Sequence, residues 1–435
     1  MTQLDAANCR EYLLLRLAIC GELACTRIGN NAPYSKNYVL NEVKKMREES
    51  IIHDFRYKDR KRYYRLKDPR GTRALLECSE DALPHIALLI GEQGKRYRGA
   101  QEHRLKMRRM YEMCAFYEEM GIEVDGLCIA RASNRFGKQP VQDKRRHPDS
   151  IFNDDGTPKK FQDILKQIDP STSIFLTRRA IRKLSDSYSM KGRYEMFRAI
   201  GLLIKGRIVY EVYSFQSAGE RWTGATERQL VMATTMHVEQ NLPAFAEARK
   251  RLIQSKAIIY LPTVKEVGDM VPDYSTRPQE CEQSEQAQKR RTKAKEEINS
   301  SEPVEAIDPL LVYNIAYVIP LSENAKDITE MLLIDGWRHK LESVIPVAER
   351  AENGELEFGW NDKEHTVPIY NLLCCSIGFM RQIIPRIRSS AGKSCVVIHD
   401  WQKGIVEELY GNKAIPVEVD EDTFKNLLQA VKICK

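Results

Sequence analysis

The stretch from Arg10 to Lys67 constrains the fold most, because hydrophobic spacing and turn residues follow one another there in a definite order. Apolar residues crowd Arg10–Cys20, which predicts a short buried helix ended by Gly21. Glu22–Ile28 is predicted as a second short helix, and the Gly-Asn-Asn-Ala-Pro run at 29–33 has strong turn chemistry. Two short helices and a tight turn are therefore expected before residue 35.

The second half of this stretch predicts one longer helix and a hairpin. Ser35 is a suitable N-cap for a helix over Ser35–Glu49. Strands are predicted at Ile51–Tyr57 and Arg62–Lys67, on either side of the basic tip Lys-Asp-Arg-Lys at 58–61. Helices followed by a hairpin with a basic tip predict a winged helix-turn-helix.

The helix Ser35–Glu49 has two kinds of face. Tyr38, Val39, Val43 and Met46 follow helical spacing and are predicted to face the core. The remaining faces carry amide and basic side chains, which suit base edges and phosphates. The predicted DNA-contacting residues are Asn37, Asn41, Lys44, Lys45 and Arg47 on the helix, with Lys58, Arg60, Lys61 and Arg62 at the wing. A winged helix used for protein interaction or dimerisation is the alternative interpretation.

Charge is distributed unevenly along the 435 residues. Residues 1–75 hold 16 Lys and Arg against 9 Asp and Glu, an excess equal to the +7 of the whole chain. Residues 95–109 add 7 basic side chains and 1 acidic one, so the remainder is net acidic. A basic N-terminal region on an otherwise acidic chain favours a nucleic-acid partner. The run at 95–109 is interpreted as a solvated helix face, with a second phosphate-tracking surface as the alternative.

Cysteine usage and hydropathy bear on the compartment. The 11 cysteines are scattered, without the spacing of a disulfide framework or a zinc site, and free buried thiols are expected. The first residues lack the pattern of a signal peptide, and no run of about 18 apolar residues predicts a transmembrane helix. The expectation is a cytoplasmic protein without a membrane partner.

Composition and hydrophobic period predict six segments and an α+β fold class. They are a winged-helix domain at 1–75, a helical connector at 76–130, a polar loop or insertion at 131–172, an α/β body at 173–272, a disordered linker or insertion at 273–309, and a C-terminal α/β part at 310–435. The mixed body follows from strands that alternate with helices after residue 173.

Catalytic motifs are incomplete. Gly392-Lys393-Ser394 ends like a P-loop, but Ile387 stands where the motif requires glycine, and the segment precedes a predicted strand. His399-Asp400 is interpreted as a core-edge histidine beside a capping aspartate rather than an acid–base pair. Neither segment predicts a reaction.

Glu211 is the one weak catalytic candidate. It lies mid-strand, where a two-metal nuclease holds Mg²⁺ with a carboxylate. A lysine two positions later would complete a Glu-x-Lys motif, but Tyr213 stands there, and the preceding strand offers no aspartate. No metal is predicted, and Mg²⁺ is expected only under the nuclease alternative.

Arg10–Lys67 and the block Gly201–Glu227, which contains a strand pair, Glu211 and Trp222, resemble the replication-relaxation family of plasmids and integrative elements. The same block is similar to that of clostridial mobile-element proteins. The resemblance implies a winged helix followed by an endonuclease-like α/β body, here a degenerate one, and a role in plasmid replication and DNA relaxation.

Three functions are therefore weighed. The favoured one is duplex DNA binding by a mobile-element protein in replication, transfer or regulation, without catalysis of its own. The α/β body then serves as a scaffold, as a nuclease-like fold without catalytic activity, or as a surface for a possible homodimer. The alternatives are a Mg²⁺-dependent nuclease or nickase and a protein-binding adaptor.

Overall fold

The computed structural model divides the chain into two compact units. The first comprises Met1–Glu195, Ala199–Ser214 and Thr234–Arg251, and the second comprises Met196–Arg198, Phe215–Ala233 and Leu252–Lys435. Both units mix helices with sheets, which confirms the predicted fold class at the level of a mixed helix and strand protein.

The structure describes residues 2–4, 6, 8–56, 61–67, 70–77, 101–129, 166, 168–178, 198–216, 231, 234, 241, 255–271, 313–321, 324–344, 349–350, 356–358 and 367–434. The segment predicted as a linker at 273–309 and most of the loop predicted at 131–172 lie outside these residues. The division into six segments stays a prediction.

The first unit begins with a small helical and stranded region. Its elements are β1 (Thr2–Leu4), α1 (Cys9–Cys20), β2 (Leu23–Ala24), α2 (Lys36–Glu48), β3 (Ile52–Arg56), β4 (Arg62–Leu66) and α3 (Arg70–Leu76). Strands β2, β4 and β3 form an antiparallel sheet in that order. α1 is buried from Tyr12 to Cys20 and ends at Gly21, whose φ is 82°. A side chain at Gly21 would overlap the ring of Tyr111.

Two predictions for this region are wrong. Glu22–Ile28 is not a helix, because Leu23 and Ala24 pair with Tyr64 and Tyr63 in β4. Consecutive turns follow, in which the amide of Arg27 donates to the carbonyl of Ala24 at 2.9 Å. Tyr38 does not face the core but is 53% exposed, since its position on α2 is a flank beside the buried Val39, Val43 and Met46.

The remainder of the first unit is a sheet with a helix on one face. Its elements are α4 (Gln101–Glu119), β5 (Glu123–Val124), β6 (Leu127–Ile129), β7 (Ser173–Thr177), β8 (Gly201–Lys205) and β9 (Ile208–Ser214). In this unit the strands follow the order β1-β6-β5-β7-β8-β9. α4 covers the face that carries Phe175, whose ring centroid lies 4.5 Å from that of Tyr117.

A tight turn separates β5 from β6. Asp125 and Gly126 have φ angles of 52° and 79°, so β5 and β6 form a hairpin instead of one strand. The carboxylate of Asp125 accepts hydrogen bonds from the amide and hydroxyl of Thr177 at 2.6 and 2.8 Å. These bonds fix the hairpin to the end of β7.

The second unit contains a parallel strand pair and a second sheet. Its elements are β10 (Lys256–Leu261), α5 (Val264–Met270), β11 (Ile315–Pro320), α6 (Ala325–Leu332), α7 (Trp337–Val344), β12 (Glu349–Arg350), β13 (Leu356–Phe358), β14 (Val367–Asn371), α8 (Ile377–Ser389), β15 (Ser394–His399), α9 (Lys403–Tyr410), β16 (Ala414–Val419) and α10 (Glu421–Ile433). β10 and β11 are parallel, and the second sheet has the order β12-β13-β14-β15-β16. The turn at Gly336 separates α6 from α7.

Two sequence expectations concern membranes and thiols. Within the described ranges, no helix combines the length and apolar character needed to cross a bilayer. The cysteines whose side chains the structure describes are free thiols, among them the buried neighbours Cys374 and Cys375. Burial raises the pKa of both of these thiols above its usual value, which disfavours the reactive thiolate.

Candidate nucleic-acid interface

Helix α2 presents a polar outer face above a narrow buried edge. The hydroxyl of Ser35 accepts a hydrogen bond from the amide of Tyr38 and so caps the first turn, as predicted. Val39, Val43 and Met46 are buried and hold the helix against the rest of the unit. The exposed side chains on α2 are Lys36, Asn37, Tyr38, Leu40, Asn41, Lys44, Lys45, Arg47 and Glu48. All five helix residues predicted to contact DNA are therefore at the surface.

The basic side chains of α2 are partly paired within the helix. Lys44 Nζ lies 4.0 Å from Glu48, and Lys45 Nζ lies 3.7 Å from Glu42. Both lysines are more than half exposed, so these pairs contribute little free energy and can open to admit a phosphate.

Arg10 compensates the acidic side of α2. Its guanidinium bonds Glu42 and Glu49 at 2.7 Å each, and the bond lowers the pKa of Glu49. Two of the carboxylates that would repel phosphate are thus already bound by a cation from α1. No local sequence pattern indicates this bridge, since Arg10 lies far from both glutamates along the chain.

Asp54 joins α2 to the hairpin of β3 and β4. Its carboxylate lies 3.2 Å from Arg47 and 3.6 Å from Arg62, two residues predicted to contact DNA. Asp54 therefore brings both guanidinium groups together at the C-terminal end of α2. Asp54 was not among the predicted site residues, although antiparallel pairing of the hairpin brings the third position of β3 near Arg62.

The wing prediction is only partly covered by the structure. β3 and β4 pair antiparallel from Ile52 with Leu66 to Arg56 with Arg62, and Lys61 is exposed. Lys58 and Arg60 lie outside the described residues. Helix α4 anchors the hairpin, since its Arg108 donates to the hydroxyl of Tyr63 in β4 at 2.6 Å and pairs with Glu112 at 3.1 Å.

A buried arginine fixes the turns that precede α2. Arg16 is fully buried, and its Nη1 donates to the carbonyls of Arg27, Ile28 and Asn30 at 2.7 to 3.1 Å. Its Nε and Nη2 bond Glu118 and Glu119 of α4 at 2.9 and 3.2 Å. The guanidinium donors are satisfied, and the chain entering α2 is tied to α4. We name this set of bonds the Arg16 clamp.

The basic run at 95–109 is partly engaged inside the unit. Arg108 packs its guanidinium 4.9 Å from the ring centroid of Tyr63, and Arg109 donates to the carbonyl of Ser214 at 3.3 Å. Met110 and Met113 are buried, which is the packing side expected for a helix face. The other basic side chains of the run, at 95–106, lie outside the residues whose side chains are described.

Glu211 lies in an apolar stretch of the sheet. It is buried on β9 opposite Leu202 of β8, which in turn pairs with Leu176 of β7. The hydroxyl of Tyr213 donates to its carboxylate at 3.5 Å. In the described parts of the chain, no group of three or more His, Cys, Asp or Glu side chains has a metal-binding arrangement. Trp222 and Glu227, which also carry the family resemblance, lie outside those parts.

The remaining sequence candidates have structural positions. Gly392 and Lys393 lie between α8 and β15, and Ser394 begins β15, so the segment leads into a strand, as predicted. His399 is fully buried, with Nε2 3.0 Å from the carbonyl of Leu373, and burial lowers its pKa to about 4. Asp400 accepts a hydrogen bond from the amide of Trp401 at 2.7 Å. It is the first residue of the 3-10 turn Asp400–Gln402, whose N-cap is His399, so Asp400 is not the cap itself.

Comparison of the chain with protein-family models, with curated proteins and with solved structures finds no match.

Proposed function

We propose that residues 8–67 form a winged helix that binds duplex DNA, with α2 in the major groove and the hairpin of β3 and β4 as the wing. One observation supports this above the others: β2 pairs with the last strand of the region, and α2 stands before the hairpin with its amide and lysine side chains exposed. A winged helix has this order, with its reading helix before the hairpin. The turns after Ala24 take the place of the usual second helix.

Charge also supports a phosphate partner. The described residues 35–56 and 61–67 contain nine Lys or Arg against four Asp or Glu. Two of those four acids, Glu42 and Glu49, are paired with Arg10, which belongs to α1. Each phosphate contact releases bound counterions, so affinity should fall steeply as salt increases.

The test is fluorescence anisotropy of a labelled random-sequence duplex over a salt series. We expect binding that weakens log-linearly with salt, and a salt slope that decreases by about 1 for each lost phosphate contact in Lys44→Ala and Lys61→Ala. Lys425→Ala is the matched control, because Lys425 also lies on an exposed helix with a glutamate four residues away. Binding that is absent, or that does not change with salt, contradicts the proposal.

The family resemblance leads us to place this DNA binding in a plasmid or integrative element, in replication, transfer or regulation. We propose binding without catalysis, because Glu211 is buried on β9 with the apolar Leu202 as its partner on β8. Supercoiled plasmid incubated with the protein and Mg²⁺ should stay intact. Nicking that Glu211→Gln abolishes would support the nuclease alternative instead.

A further inference from the structure

The outward side of α2 carries three side chains that suit bases better than phosphates, in line with one lysine. Asn37, Leu40, Asn41 and Lys44 have i, i+3, i+4 and i+7 spacing, which places them on one face of the helix. All four are exposed, and Leu40 is exposed to 44%. We call these residues the reading stripe. Leu40 was not among the sequence candidates, although helical spacing places it beside Asn37, Asn41 and Lys44.

The two amides of the reading stripe are available for bonding. Within the described part of the chain, neither Asn37 nor Asn41 makes a side-chain hydrogen bond. An amide offers one acceptor and two donors. Adenine presents an N6 donor beside an N7 acceptor in the major groove, and this pattern complements the oxygen and nitrogen of asparagine.

The charged residues in and beside the reading stripe are less suited to reading guanine. Guanine presents two acceptors, N7 and O6, which an arginine fork satisfies best. Arg47 is the arginine of α2, and its guanidinium is held by Asp54 at 3.2 Å. Lys44 supplies a single charged group with Glu48 4.0 Å away, which suits a phosphate better than a base edge.

We propose that the reading stripe recognises A·T base pairs in the major groove. Asn37 and Asn41 bond adenine edges, and Leu40 contacts the methyl group of thymine. This proposal rests on the proposed function that α2 enters the major groove of duplex DNA. The basic excess of the surrounding residues complements the phosphates on both sides of that groove.

The test compares short duplexes of equal length whose central pairs are A·T, G·C or inosine·cytosine. Inosine·cytosine shares the minor-groove pattern of A·T but presents N7 and O6 acceptors in the major groove, as guanine does. We expect the A·T duplex to bind about tenfold more tightly than both others. Equal binding of A·T and G·C, with normal salt dependence, overturns the A·T inference and leaves DNA binding standing. Failure to bind any duplex overturns both.

Base analogues assign each contact. Deoxyuridine lacks the thymine methyl, so it should weaken DNA binding by the parent protein and leave the binding by Leu40→Ala unchanged. Deazaadenine has a carbon in place of N7. It should weaken DNA binding by the parent protein and leave the binding by an Asn37→Ala and Asn41→Ala double variant unchanged. Asn426→Ala, on the exposed face of α10, is the matched amide control and should behave as the parent. Analogue effects of equal size in parent and variants, or inosine·cytosine binding like A·T, would overturn major-groove reading.

Discussion

At the residue scale, Arg16 shows how one side chain can fix several segments. Its planar guanidinium has five donors, and burial leaves none of them to water. Backbone carbonyls of the turns before α2 accept from one side, while Glu118 and Glu119 accept from the other. A lysine could not satisfy both sides, because its single ammonium is a compact charge.

Arg16→Met should therefore destabilise the first unit strongly. The change leaves Glu119 buried without its cation, which costs about 3–5 kcal/mol in comparable cases. Arg10→Met removes two pairs at a partly exposed site and should cost about 1 kcal/mol or less. Urea unfolding measures both changes.

A second substitution makes the Arg16 experiment specific. Combining Arg16→Met with Glu119→Gln removes the uncompensated carboxylate and should restore part of the lost free energy of unfolding. If Arg16→Met and Arg10→Met lower the free energy of unfolding equally, the buried Arg16 clamp stabilises the unit no more than a surface ion pair does.

At the element scale, the approach of α1 to α4 depends on Gly21. Gly21 ends α1 with positive φ, and a methyl group there would overlap the ring of Tyr111 in α4. Alanine must therefore adopt an unfavourable backbone conformation and also displace an aromatic ring that is buried.

Gly21→Ala should lower the free energy of unfolding more than Gly336→Ala does. Gly336 also has positive φ, but nothing lies within 4 Å of the position that a methyl group would take. Its substitution should cost about 1–2 kcal/mol from backbone strain alone. Thermal unfolding of both variants separates strain from overlap. Equal losses would mean that Tyr111 moves aside freely.

The elements that sequence predicted are those with local signals. α2 follows from the Ser35 cap and helical spacing, and β3 and β4 follow from alternating residues around a basic tip. The helix expected at 22–28 failed because Leu23 and Ala24 pair with β4, some forty residues later, and composition carries no trace of that pairing.

The candidate site shows the same division. Exposure of Asn37, Asn41 and Lys44 follows from helical periodicity, which a single segment contains. The bonds from Arg10 to Glu42 and from Arg47 to Asp54 join different elements, so they depend on the tertiary arrangement. The net basic charge of the site could therefore be predicted from the sequence, but the partner of each charged side chain could not.

At the scale of the whole molecule, each unit contains a group whose pKa is shifted by burial, His399 fully and Glu123 partly buried, and the two shifts have opposite signs. In the second unit, burial lowers the pKa of His399 from 6.5 to about 4. In the first, burial raises the pKa of Glu123 from 4.5 to about 7. Each group is therefore preferred in its neutral form in the folded chain.

Acidification should reduce the contribution of His399 to the stability of the second unit and increase the contribution of Glu123 to that of the first. Below pH 6.5 the unfolded chain protonates His399 while the folded chain does not, so its stabilising contribution is lost as the pH falls towards about 4. The shift corresponds to about 3 kcal/mol. Glu123 stabilises fully below pH 4.5, and its contribution is lost as the pH rises towards about 7.

Hydrogen exchange in urea, corrected for intrinsic rates, should resolve β15 and β5 separately across this range. His399→Gln should flatten the pH dependence of β15, and Glu123→Gln should flatten that of β5. Parallel pH profiles for the two strands in the parent protein would contradict the assignment of these groups.

The Arg16 clamp also limits how the chain can be divided for expression. A fragment that ends at residue 75 would keep the buried arginine and lose both of its carboxylate partners on α4. The proposed winged helix is therefore not expected to fold on its own when the chain is cut after residue 75, the boundary predicted from composition. The smallest fragment that folds on its own must extend past Glu119. During synthesis, α2 is therefore made some seventy residues before α4, whose carboxylates bind Arg16 and so fix the turns that lead into α2.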